Sequence, residues 1–124
     1  MKEIISTDDA PKAIGPYSQA VIADNLIFVS GQLPIDPVTN EIPQGVVGQT
    51  KQSLLNMKHV LESVGSGMDK IVKTTVLLSD MENFALMNEM YGSFFEGDYP
   101  ARMCYEVSRL PKDVLVEIDC IAMK

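Results

Sequence analysis

Two residues near the C-terminus have the types and the setting to do chemistry. They are Arg102, in the stretch YPARMCYEV, and Glu117, in VLVEIDC. Arginine presents a planar fork of N–H donors that grips a carboxylate through two parallel hydrogen bonds. Glutamate activates water when partial burial raises its pKa. On residue types alone this pair reads equally well as an ion pair on an exposed sheet face. Little else competes. The chain contains no GxGxxG, no GxxxxGK[ST], no HExxH and no CxxC, so the usual phosphate, zinc-protease and redox motifs are absent. His59 lies among Lys58 and Glu62 and reads as a surface helix residue. Cys104 has a nucleophile reading, but no histidine stands near it in sequence to activate it, and lining a cleft is the better reading. The eight methionines read as core filler.

The elements that must position Arg102 and Glu117 fit within 124 residues, the length of one domain, 1–124. Composition is ordinary for a globular chain, with 46% hydrophobic and 22% charged residues,. The net charge of −7, from 17 acidic and 10 basic residues, argues against a nucleic-acid partner, which needs a basic face. No apolar h-region opens the chain, and no run approaches the ~18 apolar residues of a membrane span. Two cysteines with one histidine make neither a disulfide framework nor a zinc pattern. The expected setting is a reducing cytoplasm.

Alternation and period predict the element order β-β-α-β-α-β-β. Tyr17–Ala23 and the LIFVSG segment form a hairpin about Asp24-Asn25. The proline-rich LPIDPVTNEIP is an ordered loop. Val47, Leu54, Met57, Val60 or Leu61, and Val64 mark an amphipathic helix over 46–64, ended by Gly65 and Gly67. KIVKTTVLLS reads as a strand. Asp80 caps a second helix with Phe84, Met87, Tyr91 and Phe94 or Phe95 on one face. ARMCYEVSR and VLVEIDCIAM then form a closing hairpin through LPKD. One mixed sheet with both helices on one face makes an α+β two-layer domain.

If that closing hairpin turns at Pro111-Lys112, Val107 faces Val116 and Tyr105 faces Ile118. One face then carries Met103, Tyr105, Val107, Val114, Val116, Ile118 and Cys120, suited to lie under the helices. The other carries Arg102, Cys104, Glu106, Leu115, Glu117, Asp119 and Ile121. Cys104 and Cys120 point apart, which disfavours a disulfide. The helix-free face mixes charges with apolar groups, as expected of a face covered by a second chain. In this register Arg102 and Glu117 are separated by about 13 Å. A ligand of a few carbons cannot span that, so if the two residues serve one site they are expected from neighbouring protomers.

The segments AIGPYSQA, VSGQLPIDPVTNEIP, QSLLNMKHVLE, IVKTTVLLSDMENFALMNEMYGSFF and YPARMCYEVSRLPKDVLVEIDCIAM together resemble the RidA/YjgF/YER057c/UK114 family of reactive-intermediate deaminases over nearly the whole chain. The resemblance implies a chorismate-mutase-like fold and a homotrimer with clefts between subunits. It also implies hydrolysis of imines and enamines such as 2-aminoacrylate and 2-iminobutanoate to 2-keto acids and ammonia, with neither metal nor organic cofactor. It assigns Arg102 to the substrate carboxylate and Glu117 to the attacking water. Tyr17, Ser30, Gly31, Asn88 and Cys104 match positions that line the cleft. The segment between Phe95 and Tyr99 is shorter than in some relatives, which bears on the cleft rim. The alternative is a binding module that holds a small carboxylate without turnover. The ribonuclease activity attached to some relatives is disfavoured by the acidic balance and the lack of a histidine-based acid–base pair.

Overall fold

The structure, a computed structural model, describes residues 1–124. The strands are β1 (Lys2–Ile5), β2 (Ala20–Ala23), β3 (Leu26–Gln32), β4 (Ile71–Leu78), β5 (Ala101–Glu106) and β6 (Val116–Met123). The helices are α1 (Gly45–Glu62) and α2 (Phe84–Gly92). The strands form one mixed sheet in the order β1-β2-β3-β6-β4-β5. Both helices pack on one face, giving the expected two-layer α+β arrangement.

The first hairpin forms where the turn residues place it. Ala23 pairs with Leu26, and Asp24 takes a left-handed φ of 53°, which aspartate tolerates. The strand begins at Ala20 rather than Tyr17, because the residues before it belong to a loop held by the Gln19 side chain. The expected order lacks β1, four residues of which three are exposed and which therefore show no alternation.

α1 buries Val46, Leu54, Met57, Val60 and Leu61. Both Val60 and Leu61 face the core, whereas Val47 is exposed. Gly65, at φ 81°, supplies the left-handed residue that follows many helix ends. Gly67 is extended and has no such role. Two buried polar side chains on α1 fix loops. Asn56 donates to the carbonyls of Leu33 and Ile35 at 3.1 and 2.9 Å, so the proline-rich segment is an ordered loop tied to the helix. Gln49 donates to Pro43 O at 3.0 Å and accepts from Leu115 N–H at 2.8 Å. Ahead of α2, Asp80 Oδ1 accepts from Glu82 N–H at 2.9 Å and caps a short 3-10 turn that runs into the helix. Met87, Tyr91 and Phe95 are then buried.

The closing hairpin does not form. β5 pairs in parallel with β4, as the end of a β4-α2-β5 crossover, and β6 inserts between β3 and β4, antiparallel to both. Lys112 and Asp113 both have positive φ, 57° and 55°, in the connection that carries the chain past β4. Parallel pairing needs a long crossover and leaves no local turn signal. The expected β5–β6 register, with Val107 facing Val116 and Tyr105 facing Ile118, is therefore wrong.

That correction reverses the faces of β5. Val116, Ile118 and Cys120 of β6 are buried under the helices, as alternation predicts, and so is Ala122. In β5, however, Arg102 and Cys104 pair with Thr74 and Val76, whose side chains are buried, so they face α2. Met103 and Tyr105 stand on the open face, 53% and 46% exposed. Cys104 and Cys120 share the helix side and are both free thiols. With β4 between them, their Cα atoms lie about 9.6 Å apart or more, beyond the ~7 Å limit for a disulfide.

No element of the chain covers the other face. Along it run Ile4, Phe28, Met103 and Tyr105, all substantially exposed, with Ile121, Glu117 and Asp119 of β6 between them. An apolar area of this kind is unusual on a solvent-facing sheet.

Candidate active site

The predicted site residues fall into two groups. The first is built on β5 and α2. Arg102, the second residue of β5, extends across α2 instead of over the open face. Phe84, Asn88 and Tyr91 lie at i, i+4 and i+7 on that helix and so form one stripe. Arg102 Nη1 donates to Asn88 Oδ1 at 2.7 Å. The guanidinium carbon lies 4.8 Å from the Tyr91 ring centroid and 5.6 Å from that of Phe84, within cation–π range. No carboxylate meets it, since the only ion pair in the chain joins Arg109 to Asp113. The Arg102–Glu117 ion pair that residue types alone allow is thus absent. The guanidinium borders an open cleft of about 500 Å³ walled by Asn88, Tyr91, Gly92, Tyr99 and Pro100.

The second group surrounds Glu117, a half-buried residue on the open face. Burial raises its pKa, and the neighbouring charge of Asp119 raises it further. Its carboxylate lies against Gly31, where β3 shifts register between Val29 and Gln32. A Cβ at Gly31 would lie 2.9 Å from Glu117 Cδ and overlap the carboxylate oxygen, so glycine is required for the acid to sit there. A cleft of about 580 Å³ includes Tyr17, Ser30, Gly31 and Glu117, with Lys12, Ile14 and Lys112 nearby. Ser30 Oγ donates to Ser18 O at 2.6 Å and keeps its lone pairs free to accept. The loop that carries Lys12 and Tyr17 is clipped by buried Gln19, which accepts from Thr7 N–H at 2.7 Å and donates to Pro11 O at 2.8 Å.

Within one chain these groups do not meet. Arg102 is level with Thr74, which is level with Cys120, three residues beyond Glu117. Two strand spacings across and three residues along separate the Cα atoms by about 14 Å. The side chains also leave opposite faces of the sheet. The separation expected from the closing hairpin is therefore similar in size but arises from a different topology.

Cys104 borders neither cleft. Its thiol packs against the core, and burial pushes its pKa up, only partly offset by Arg102. That favours the protonated thiol over a nucleophilic thiolate. His59 lies outside both clefts, with Nδ1 2.9 Å from Asp9 O. Sequence reasoning named Asn88 through the resemblance but missed the aromatic partners of Arg102. Phe84 and Tyr91 were legible as a helix stripe, but nothing local showed that the stripe meets a strand arginine. Gln19 and Lys12 gave no signal.

Comparison with known proteins identifies the family. A family described as Endoribonuclease L-PSP matches residues 7–124. A RutC family protein from Pyrococcus horikoshii is 54% identical over 125 residues, covering 100% of this chain and 99% of that protein. The 2-iminobutanoate/2-iminopropanoate deaminase of Escherichia coli K12 is 47% identical over 127 residues, again covering 100% and 99%. Among solved structures, Escherichia coli TdcF with bound serine superposes with a TM-score of 0.95 at 45% identity, covering 98% of each chain. The chain belongs to this family, the RidA/YjgF family that its sequence resembles.

Proposed function

We propose that this protein hydrolyses the C=N bond of small 2-imino acids, releasing ammonia and a 2-keto acid, at a site completed by a second copy of the chain. The observation that carries the reading is the Arg102 guanidinium. It lies over the Tyr91 ring and is fixed by Asn88, faces a cleft, and has no acid to neutralise it. Such a group is arranged to receive a carboxylate. The name of the Escherichia coli deaminase and the serine bound to TdcF, a small molecule with a carboxylate, support the reading.

Arg102 fixes the substrate carboxylate and so aims the imine carbon at a bound water. Glu117 takes a proton from that water as oxygen attacks carbon. Glu117 passes that proton to the imine nitrogen, giving the carbinolamine; the carbinolamine's hydroxyl proton then moves to nitrogen as the C–N bond breaks, so ammonia leaves and the keto acid remains. A raised Glu117 pKa makes it a stronger base once ionised. β5 is an edge strand, so the backbone groups of Cys104 on its unpaired side are free for substrate. In the proposed homotrimer neighbouring copies cover the apolar open face, and the β5 edge that carries Arg102 of one chain lies beside Glu117 of the next.

The test is a coupled assay in which a lyase generates 2-aminoacrylate from serine. Faster pyruvate release on adding this protein is expected. Unchanged release, with 2-keto acid binding still measurable, would assign the site to binding without turnover.

A further inference from the structure

We propose that Tyr91, anchored by Thr74, is a positioning residue that holds the Arg102 guanidinium in the plane in which its fork meets a carboxylate; this rests on the carboxylate reading of Arg102. The α2 stripe gives Arg102 two kinds of partner. Asn88 accepts from Nη1, fixing one N–H of the five that arginine carries. The Tyr91 ring lies beneath the guanidinium carbon and restricts its tilt. The ring in turn cannot swing. Tyr91 is 4% exposed, and its Oη lies 2.7 Å from Oγ1 of Thr74, a fully buried residue. Thr74 is also the β4 residue that pairs with Arg102. One strand position thus sets both the arginine's backbone, through the ladder, and its aromatic floor, through the hydroxyl. Burial raises the Tyr91 pKa, so the ring stays neutral and keeps the quadrupole that attracts a cation.

The chain has only two arginines, Arg102 and Arg109, so their side-chain Nε–Hε NMR signals can be followed individually. Arg109, ion-paired at the surface, is the internal control. In the ligand-free protein, Tyr91→Leu is expected to collapse the order of the Arg102 side chain while leaving Arg109 unchanged; Tyr91→Phe, which keeps the ring, retains most of it. Binding of 2-oxobutanoate by calorimetry supplies the second readout. Tyr91→Leu is expected to raise Kd about tenfold in the parent and less than about twofold in an Arg102→Ala background, because a residue acting through Arg102 has nothing to act through once it is gone. An Arg102 signal unchanged by Tyr91→Leu, or an equal loss of binding in both backgrounds, overturns the proposal. Loss of side-chain order with no effect of Arg102→Ala on binding upholds the positioning of Arg102 and overturns the carboxylate clamp instead. If Tyr91→Leu does not fold, Thr74→Val carries the test: a reduced Arg102 order is expected, and an unchanged one overturns the proposal.

Discussion

The Arg102 and Glu117 regions reach a poised charge by opposite means. Arg102 stays exposed and is held by neighbours: a ring below, an amide at one N–H, and a helix stripe that supplies both. Glu117 is drawn inward, and its burial is made possible by a missing atom, the Cβ of Gly31. The first region stands on regular secondary structure. The second depends on a register shift in β3 and a loop clipped by Gln19. A cation that must grip needs orientation, whereas an acid that must take a proton needs a raised pKa.

This contrast can be broken from either side. The largest effect is expected from Arg102→Lys, which keeps the charge and loses the fork. Its kcat/KM should fall about 100-fold with Tm little changed, and near-parental steady-state rates would remove the clamp. Next is Gly31→Ala. The methyl group must displace the Glu117 carboxylate, so kcat should fall about tenfold or more, with a stability loss of ~1–3 kcal/mol for the overpacked contact. Activity within twofold of the parent would show that the close approach is dispensable.

A smaller effect concerns pH. In the proposed mechanism Glu117 acts in its ionised form, so activity is expected to fall as pH drops through its raised pKa. Burial is the main cause of that shift and the Asp119 charge adds to it, so Asp119→Asn should move this acidic limb of the kcat profile part of the way to lower pH; a limb that moves up would contradict the cause. The same shift has a stability consequence. The unfolded chain releases the Glu117 proton near the ordinary value of 4.5, the folded chain only at higher pH. Ionisation therefore costs the native state, and the cost grows as pH rises through that interval. Thermal melts of Glu117→Gln should show a Tm above the parent at neutral pH and a gap that closes in acid. The smallest effect is expected from Gln19→Ala. It frees the loop bearing Tyr17 and should raise KM about threefold while kcat holds, at ~1–3 kcal/mol of stability for the unpaired buried groups.

Much of this architecture was legible in local pattern. Alternation placed Val116, Ile118 and Cys120 toward the helices because β6 is central and buried on that side. It failed for β5, an edge strand whose residues are nearly all exposed, so neither face shows as a core. The parallel β4–β5 pairing left no turn residue to read, and a closing hairpin filled the gap wrongly. The site was legible as residues but not as neighbourhoods. Arg102 stood out as a strand arginine, and Phe84 and Tyr91 as a helix stripe. That stripe and strand meet is a consequence of the crossover, which no short window contains. Gly31 gave no reason for being glycine until Glu117 was found beside it.

The central claim is that one site draws Arg102 and Glu117 from different chains. Mixing the Arg102→Ala and Glu117→Ala proteins in equal amounts, with subunit exchange verified by mass, tests it directly. Each variant alone should be inactive. In a closed ring, random mixing gives a working pair at about one site in four, so recovery toward a quarter of parental activity is expected. No recovery after verified exchange would place both residues in a single chain's site and contradict the account.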